Sequence, residues 1–343
     1  MLGKLFTLLG TAAAATQTTF NISREFPRFP IEYILSDDSN TRIDGFAMLR
    51  TEQSTSSYHF GIISLLDLPR HAARSYIRSR GLIISEGLPN IEFDRPVEVL
   101  DRTFEHYSPT IYLNAGPGTD FARSCQGGFL IAPTSATENM LMINPSNVTE
   151  HAFEGQVFYA PHVLLHRRAH LPTASTPWSV NIAIRLTSNG DTASSQVIPI
   201  EQFTPCALAF DSPSDKLAVP ERVFSDLLRR IERQVIRVHR GDNYRVSLDA
   251  ITHRGYRERL RNLPDIEFVL LGENGQQIHI GSMSPDEYIA PRHSLYGYHL
   301  TIKSHYPDAP NFCSIDSRIL KNLLLHFDTQ NNRIGFGEPL VDL

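Results

Sequence analysis

The chain is 343 residues long, 41% hydrophobic and 20% charged, which is enough apolar sequence for one large core or two smaller ones side by side. A formal net charge of -5 gives no overall attraction to nucleic acid or to an anionic membrane surface, so neither is expected as a partner. Three cysteines, Cys125, Cys206 and Cys313, allow at most one internal disulfide, and their wide spacing excludes a local zinc knuckle.

The N-terminal stretch MLGKLFTLLGTAAAATQ carries one lysine, a short apolar segment from Leu5 to Leu9 and the small residues Ala12 to Ala15. That pattern predicts a signal peptide over residues 1–15 and a secreted or lumenal protein. No later segment reaches the ~20 apolar residues needed to span a bilayer, so no membrane span is expected. Asn21-Ile22-Ser23 and Asn147-Val148-Thr149 fit the acceptor pattern for N-linked glycans, whereas Pro145 excludes Asn144-Pro145-Ser146.

Strand signals then dominate. Ile31–Leu35, Phe46–Leu49, Thr110–Leu113, Phe129–Ile131, Val180–Leu186 and Ile266–Leu271 are apolar or alternating runs. Polar turns such as Asp37-Asp38-Ser39-Asn40 and Ser188-Asn189-Gly190 separate them, and the spacing predicts an all-β protein. Helices are expected at two places. Pro220-Glu221 suits a first turn, and Val223, Phe224, Leu227, Leu228 and Ile231 then share one face. Pro96-Val97-Glu98-Val99-Leu100 is read as a similar helix start. Arg229, Arg230, Arg233, Arg237 and Arg240 read as a solvated helix face, since no interleaved aromatics suit them to nucleic acid.

His162, His166 and His170 recur every four residues, but their neighbours look extended and no His-Glu-x-x-His motif occurs. Gly116-Pro117-Gly118 lacks a Lys-Ser/Thr and a following helix, so it makes no phosphate loop. No metal or cofactor is therefore expected.

The C-terminal half carries a resemblance. Cys206 to Ser214 runs Cys-Ala-Leu-Ala-Phe-Asp-Ser-Pro-Ser, and Val219-Pro220-Glu221-Arg222-Val223-Phe224 follows. This resembles the second catalytic segment of pepsin-like aspartic proteases, in which an apolar strand leads into Asp-Thr/Ser-Gly-Thr/Ser and then a proline-started helix. Leu263-Pro264-Asp265-Ile266-Glu267-Phe268 is similar to the family's Leu-Pro-x-Ile-x-Phe strand, and Asp286-Glu287-Tyr288-Ile289 to its following tyrosine-bearing strand. Phe327-Asp328 through Arg333-Ile334-Gly335-Phe336 resembles the closing hairpin. In the N-terminal half, Phe29-Pro30-Ile31-Glu32-Tyr33 with Gly45-Phe46 resembles the flap hairpin whose tyrosine closes over substrate. Gly81 to Leu88 resembles Asp-Gly-Ile-Leu-Gly-Leu-Gly, Pro109 to Leu113 the strand joining the lobes, and Trp178-Ser179-Val180 the strand start that follows. The resemblance implies a bilobal β fold with a shortened N-terminal lobe over residues 16–113 and a C-terminal lobe over 114–343.

The family cleaves peptide bonds with two aspartates, one from each lobe, that share a proton and hold a water. Two carboxyls held that close cannot both ionise, so the pair titrates in separated steps. A lone aspartate near its ordinary pKa of ~3.9 supplies neither the acid nor the shared proton. Asp211 matches the second aspartate, and Tyr33, Ser212 and Ser214 would line the substrate cleft. No aspartate precedes Asp37, so the first Asp-Thr-Gly is not found upstream of Tyr33. Pro213, with a fixed φ and no N–H, stands where the family has glycine. Ser85 and the run Cys313-Ser314-Ile315-Asp316 replace glycines expected beneath the catalytic loops, and Ile34 follows the flap tyrosine in place of glycine.

These departures predict a non-catalytic homologue whose cleft still holds a peptide or protein ligand. Two other readings stand beside it. One is an active endopeptidase completed by upstream coding sequence or by a second copy; the other is a structural or interaction protein. Asp211 read without the resemblance is a turn aspartate, Tyr33 is strand core, and Cys206 is a buried free thiol with no partner nearby in sequence.

Overall fold

The computed structural model describes residues 17–23, 28–35, 38–50, 59–61, 74–83, 91–100, 110–165, 177–187, 197–209, 217–234, 238–240, 246–249, 262–291, 297–304 and 313–340. Strands dominate it, as the alternating and apolar runs require. The N-terminal ones are β1 (Thr18–Ser23), β2 (Arg28–Leu35), β3 (Asp38–Arg50), β4 (His59–Gly61), β5 (Arg74–Ile83), β6 (Ile91–Leu100) and β7 (Thr110–Asn114). All but β1 form one sheet in the order β4-β7-β3-β2-β5-β6. Within it β2 and β3 make an antiparallel hairpin, with Tyr33 opposite Ile43 and Ile31 opposite Gly45. β3 runs parallel to β7.

The helix expected from Pro96 is instead part of β6, where Pro96 lies opposite Arg78. Ile91, Phe93, Val97 and Val99 alternate in sequence with Glu92, Asp94 and Glu98, a period of two that suits a pleated strand. Proline is tolerated because β6 ends the sheet order, where an absent N–H breaks no ladder on the outer side.

A second sheet runs β1-β9-β8-β22-β23-β10, and every pair in it is antiparallel. Its further strands are β8 (Phe129–Pro133), β9 (Glu138–Ile143), β10 (Phe158–Pro161), β22 (Leu324–Asp328) and β23 (Arg333–Gly337). It therefore joins residues 18–23 to the last hairpin of the chain. β8 and β22 are buried along their whole length, and Phe129 stacks on Phe327 with ring centroids 4.5 Å apart. Helix α1 (Asp120–Ser124), N-capped by the Thr119 hydroxyl, follows Gly118. A helix does therefore follow Gly116-Pro117-Gly118, contrary to the expectation, because Thr119 supplies the cap.

The third sheet is mixed, in the order β17-β16-β11-β12-β21-β13-β20. It contains β11 (Ser179–Thr187), β12 (Thr204–Ala209), β13 (Ala218–Val219), β16 (Asp265–Leu271), β17 (Gln277–Met283), β20 (Lys303–Ser304) and β21 (Cys313–Asp316). Four short strands, β14 (Val238–Arg240), β15 (Val246–Asp249), β18 (Ile289–Pro291) and β19 (Gly297–Leu300), form the fourth sheet.

Helix α2 (Glu221–Arg233) forms where its pattern predicts. Val223, Phe224, Leu227, Leu228 and Ile231 are buried, while Arg229 and Arg233 are exposed. Arg230 pairs with Asp226 one turn earlier at 3.4 Å, so the basic face of α2 is solvated; Arg240, expected on the same face, lies instead on β14, and Arg237 lies outside the described residues. Tyr288 sits on a single helical turn, Pro285–Tyr288, closed by a Ser284/Glu287 capping box, and not on a strand; the strand begins only at Ile289. Its ring is fully buried and its hydroxyl donates to the Pro264 carbonyl at 2.9 Å. One continuous core contains Trp178, Phe29, Phe121, Phe129, Phe268, Phe327 and Phe336. Among the described residues, no helix is long and apolar enough to cross a membrane.

Candidate functional site

The strand that leads to Asp211 is interior and parallel-paired. β12 has β11 on one side, antiparallel, and β21 on the other, parallel. A strand covered on both faces must be apolar throughout, and Cys206-Ala207-Leu208-Ala209 is buried at every position. Cys206 lies directly opposite Cys313, Ala207 opposite Ser314, Leu208 opposite Ile315 and Ala209 opposite Asp316. β13 then pairs with the other edge of β21, Ala218 opposite Ser314. The segment 210–217 thus connects the two strands that flank β21, leaving the first beside Asp316 and joining the second beside Ser314.

That register joins two of the three thiols. Cys206 and Cys313 form a disulfide, with Cα atoms 4.5 Å apart across the parallel pair. Cys206 is therefore not a free thiol. The sequence separation of 107 between the cysteines is irrelevant once β12 and β21 pair. The free thiol is Cys125, whose burial pushes its pKa up to about 12, only partly opposed by a hydrogen bond from Ser124. It stays protonated and unreactive.

Asp316 ends β21 and is fully buried. Its Oδ1 accepts from the Arg318 backbone N–H at 3.0 Å, capping the helical turn Ser317–Leu320. The Arg318 guanidinium also grips both oxygens, Nη2 at 2.7 Å from Oδ2 and Nε at 3.1 Å from each. Arg318 Nη2 donates in addition to the Thr301 carbonyl at 3.1 Å. A carboxylate so fully engaged, with its charge matched, serves as an anchor and not as a mobile proton carrier. Glu221 opens α2 nearby; it accepts hydrogen bonds from Ser225 at 2.7 Å and from Ser304 on β20.

Trp178 precedes β11, and its carbonyl accepts from Leu208 N–H at 2.8 Å, which puts it at the end of the sheet where β12 exits. Its indole N–H donates to the Ala115 carbonyl at 2.7 Å. A cavity of about 360 Å³ opens beside it, lined by Gly118, Arg123, Gln126, Gln330 and Asn332 among others. Side-chain amides with one arginine suit the donors and acceptors of a peptide backbone. A smaller cavity of about 170 Å³ lies near Thr204, at the opposite end of β12.

A separate polar row crosses the second sheet. His326 on β22 and Tyr159 on β10 both lie opposite Gly335 of the intervening β23. His326 Nε2 donates to the Gly127 carbonyl at 3.1 Å, so Nδ1 accepts from the Tyr159 hydroxyl at 2.9 Å. Only glycine lets them meet over β23, since a Cβ at 335 would sit 2.9 Å from the tyrosine ring. Burial holds the His326 imidazole below its usual range; the Gly127 hydrogen bond and Asp328 partly oppose this. Arg333 lies 4.0 Å from the Tyr159 ring centroid, Nε 2.8 Å from Asp328 and Nη1 3.2 Å from Glu273. Burial alone would raise Asp328, but hydrogen bonds from Asn331 and Arg333 outweigh it and hold the carboxyl below the usual carboxylate range.

Asp211, Ser212 and Ser214 lie outside the described residues, as do Pro213, Ser85, His166 and His170. Tyr33 is placed on the β2–β3 hairpin by its backbone. His162 is half-buried in the chain just after β10, with Nδ1 against the Ser179 backbone and its ring edge-on to Trp178, and burial lowers its pKa. Among the described residues no cluster of three metal-ligating side chains occurs. The disulfide, the Asp316–Arg318 pair and the Tyr159–His326 row lie outside the sequence reading. Only the last leaves a trace, in the glycine at 335. No protein-family profile matches the sequence, and no curated protein matches it.

Proposed function

We propose that the chain has the bilobal architecture of the pepsin-like aspartic endopeptidases and holds extended peptides in the cleft of that fold without cutting them. The observation that carries this reading is the chain course around β21. An apolar interior strand ends two residues before Asp211 in the sequence, and the chain returns as β13 on the far side of β21 before entering a proline-started helix. Such a crossing loop is where a carboxylate can be held by surrounding backbone dipoles and presented at a sheet end. The β2–β3 hairpin bearing Tyr33 supplies an element suited to closing over a ligand.

The catalytic loss rests on chemistry within the chain. No Asp-Thr-Gly or Asp-Ser-Gly triplet occurs in the 343 residues, and Pro213 removes a backbone donor beside Asp211. Asp316, whose backbone is registered two residues short of Asp211, is committed to Arg318 and cannot act as the second acid. Ser212 and Ser214 then serve as hydrogen-bond partners for a peptide, with Tyr33 covering it. The Cys206–Cys313 disulfide supports an oxidising, secretory compartment.

The test is incubation of the purified chain with a denatured protein at acid pH, with and without a statine-type transition-state mimic, alongside fluorescence-polarisation binding of labelled peptides. Binding without cleavage is expected. Mimic-sensitive cleavage that disappears in Asp211→Asn would overturn the reading, and absence of both binding and cleavage would favour a purely structural role.

A further inference from the structure

We infer that Asn147 is a glycan acceptor when the chain passes through a secretory lumen, a statement that rests on the lumenal reading above. The sequence offers two acceptor triplets, and the structure separates them. Asn21 is exposed too, but it lies within β1, in the ladder opposite Met140. Asn147 instead stands at the position just before a short 3-10 turn, Val148–His151, on the connection between β9 and β10, and both it and Thr149 are exposed.

The local geometry there matches the chemistry. The Thr149 hydroxyl donates to Asn147 Oδ1 at 2.8 Å, which draws electron density from the amide and orients it. Nδ2 points outward, where it donates to the carboxylate of Glu150 at 2.6 Å; Glu150 is itself exposed, so this hydrogen bond exchanges readily with water. Pro145 precedes the triplet and Val148 occupies its middle, so no proline blocks it.

The reaction is transfer of an N-acetylhexosamine-led oligosaccharide from a lipid diphosphate. Asn147 Nδ2 forms a bond to the sugar's anomeric carbon as the bond from that carbon to the diphosphate oxygen breaks. The electron pair leaves with the lipid diphosphate, the amide loses one proton, and nothing is oxidised or reduced. The disulfide between Cys206 and Cys313 is an independent mark of the compartment in which this transfer occurs. A glycan at this turn projects into solvent and displaces no core side chain.

The experiment expresses the full chain in secretory eukaryotic cells, once with its own N-terminus and once behind a heterologous leader. Peptide N-glycosidase in heavy-oxygen water then marks each formerly glycosylated asparagine as a labelled aspartate for mass spectrometry. Label at Asn147 is expected, with one glycan's mobility shift lost in Asn147→Gln and Thr149→Ala and retained in Thr149→Ser. A translocated, leader-bearing chain with Asn147 unlabelled, or labelled at Asn21 alone, overturns the inference. A chain that stays cytosolic with its own N-terminus, while the leader-bearing one is labelled at Asn147, refutes the lumenal reading and upholds the acceptor site.

Discussion

Two buried polar regions of this molecule solve the same problem in opposite ways. At the end of β21 the protein buries full charges, Asp316 against Arg318, beside a covalent link between β12 and β21. Across β22, β23 and β10 the buried histidine is kept neutral and bonded to a tyrosine and a carbonyl, while the buried Asp328 carboxylate is met by Arg333, which reaches out to the exposed Glu273. The contrast teaches where each region is vulnerable. The first fails if a partner is removed, the second if a proton is added.

The largest effect should come from Arg318→Met. It leaves the fully buried Asp316 carboxylate unmatched and should cost roughly 3–5 kcal/mol, read as a fall in urea midpoint. The double variant Arg318→Met with Asp316→Leu should recover much of that loss; failure to recover would show that the pair matters for more than charge matching.

Next in size is the disulfide. Cys206→Ala with Cys313→Ala should lower stability by roughly 2–5 kcal/mol, since a loop closed across a sequence separation of 107 is released in the unfolded chain. Non-reducing peptide mapping of the parent protein, with Cys125 as the one alkylated thiol, checks the pairing directly.

Gly335→Ala should cost about 1–3 kcal/mol by pushing Tyr159 away from His326. Tyr159→Phe, which empties the hydroxyl site without the clash, should cost about 1 kcal/mol, and a larger loss from it would reverse this ranking.

The smallest and most selective effect is that of pH. His326 has a folded pKa below its ordinary 6.5, so the unfolded chain takes up a proton that the folded one resists. The associated stability is fully present above 6.5 and is lost as pH falls from there through the folded value. His162 acts in the same direction, while the contribution of Asp328 is kept until pH falls below 3.8. Hydrogen-exchange protection in β10 and β22, taken relative to the intrinsic rate at each pH, should therefore fall between neutral and mildly acid pH before protection in β12 and β21 does. His326→Phe should flatten that response, and an equal fall in both regions would dissolve the distinction.

Much of the fold was legible in advance because strands and helices have different apolar periods. β7, β8, β11 and β16 arise where the runs predicted them, and α2 buries the five side chains of its expected face. Proline misled at Pro96, where a residue that opens helices also sits harmlessly at a sheet margin. Tyr288 was assigned to a strand because the local signal that decides it, the Ser284/Glu287 box, lies just before it. The pairing of Cys206 with Cys313 was illegible for a deeper reason: it depends on which strands become neighbours, and no local pattern carries that. The same holds for Arg318, which reads as a surface arginine until β21 places Asp316 beneath it. At the candidate site the approach to Asp211 along an apolar strand was legible, but the straddling of β21 was not.

Trp178 is the only tryptophan in the chain, and it is buried where β12 exits, edge-on to an imidazole. Its fluorescence therefore comes from a single address. Protonating His162 should dim it, and a ligand settling into the adjoining hollow should shift its colour, so the protein carries its own optical reporter for that hollow.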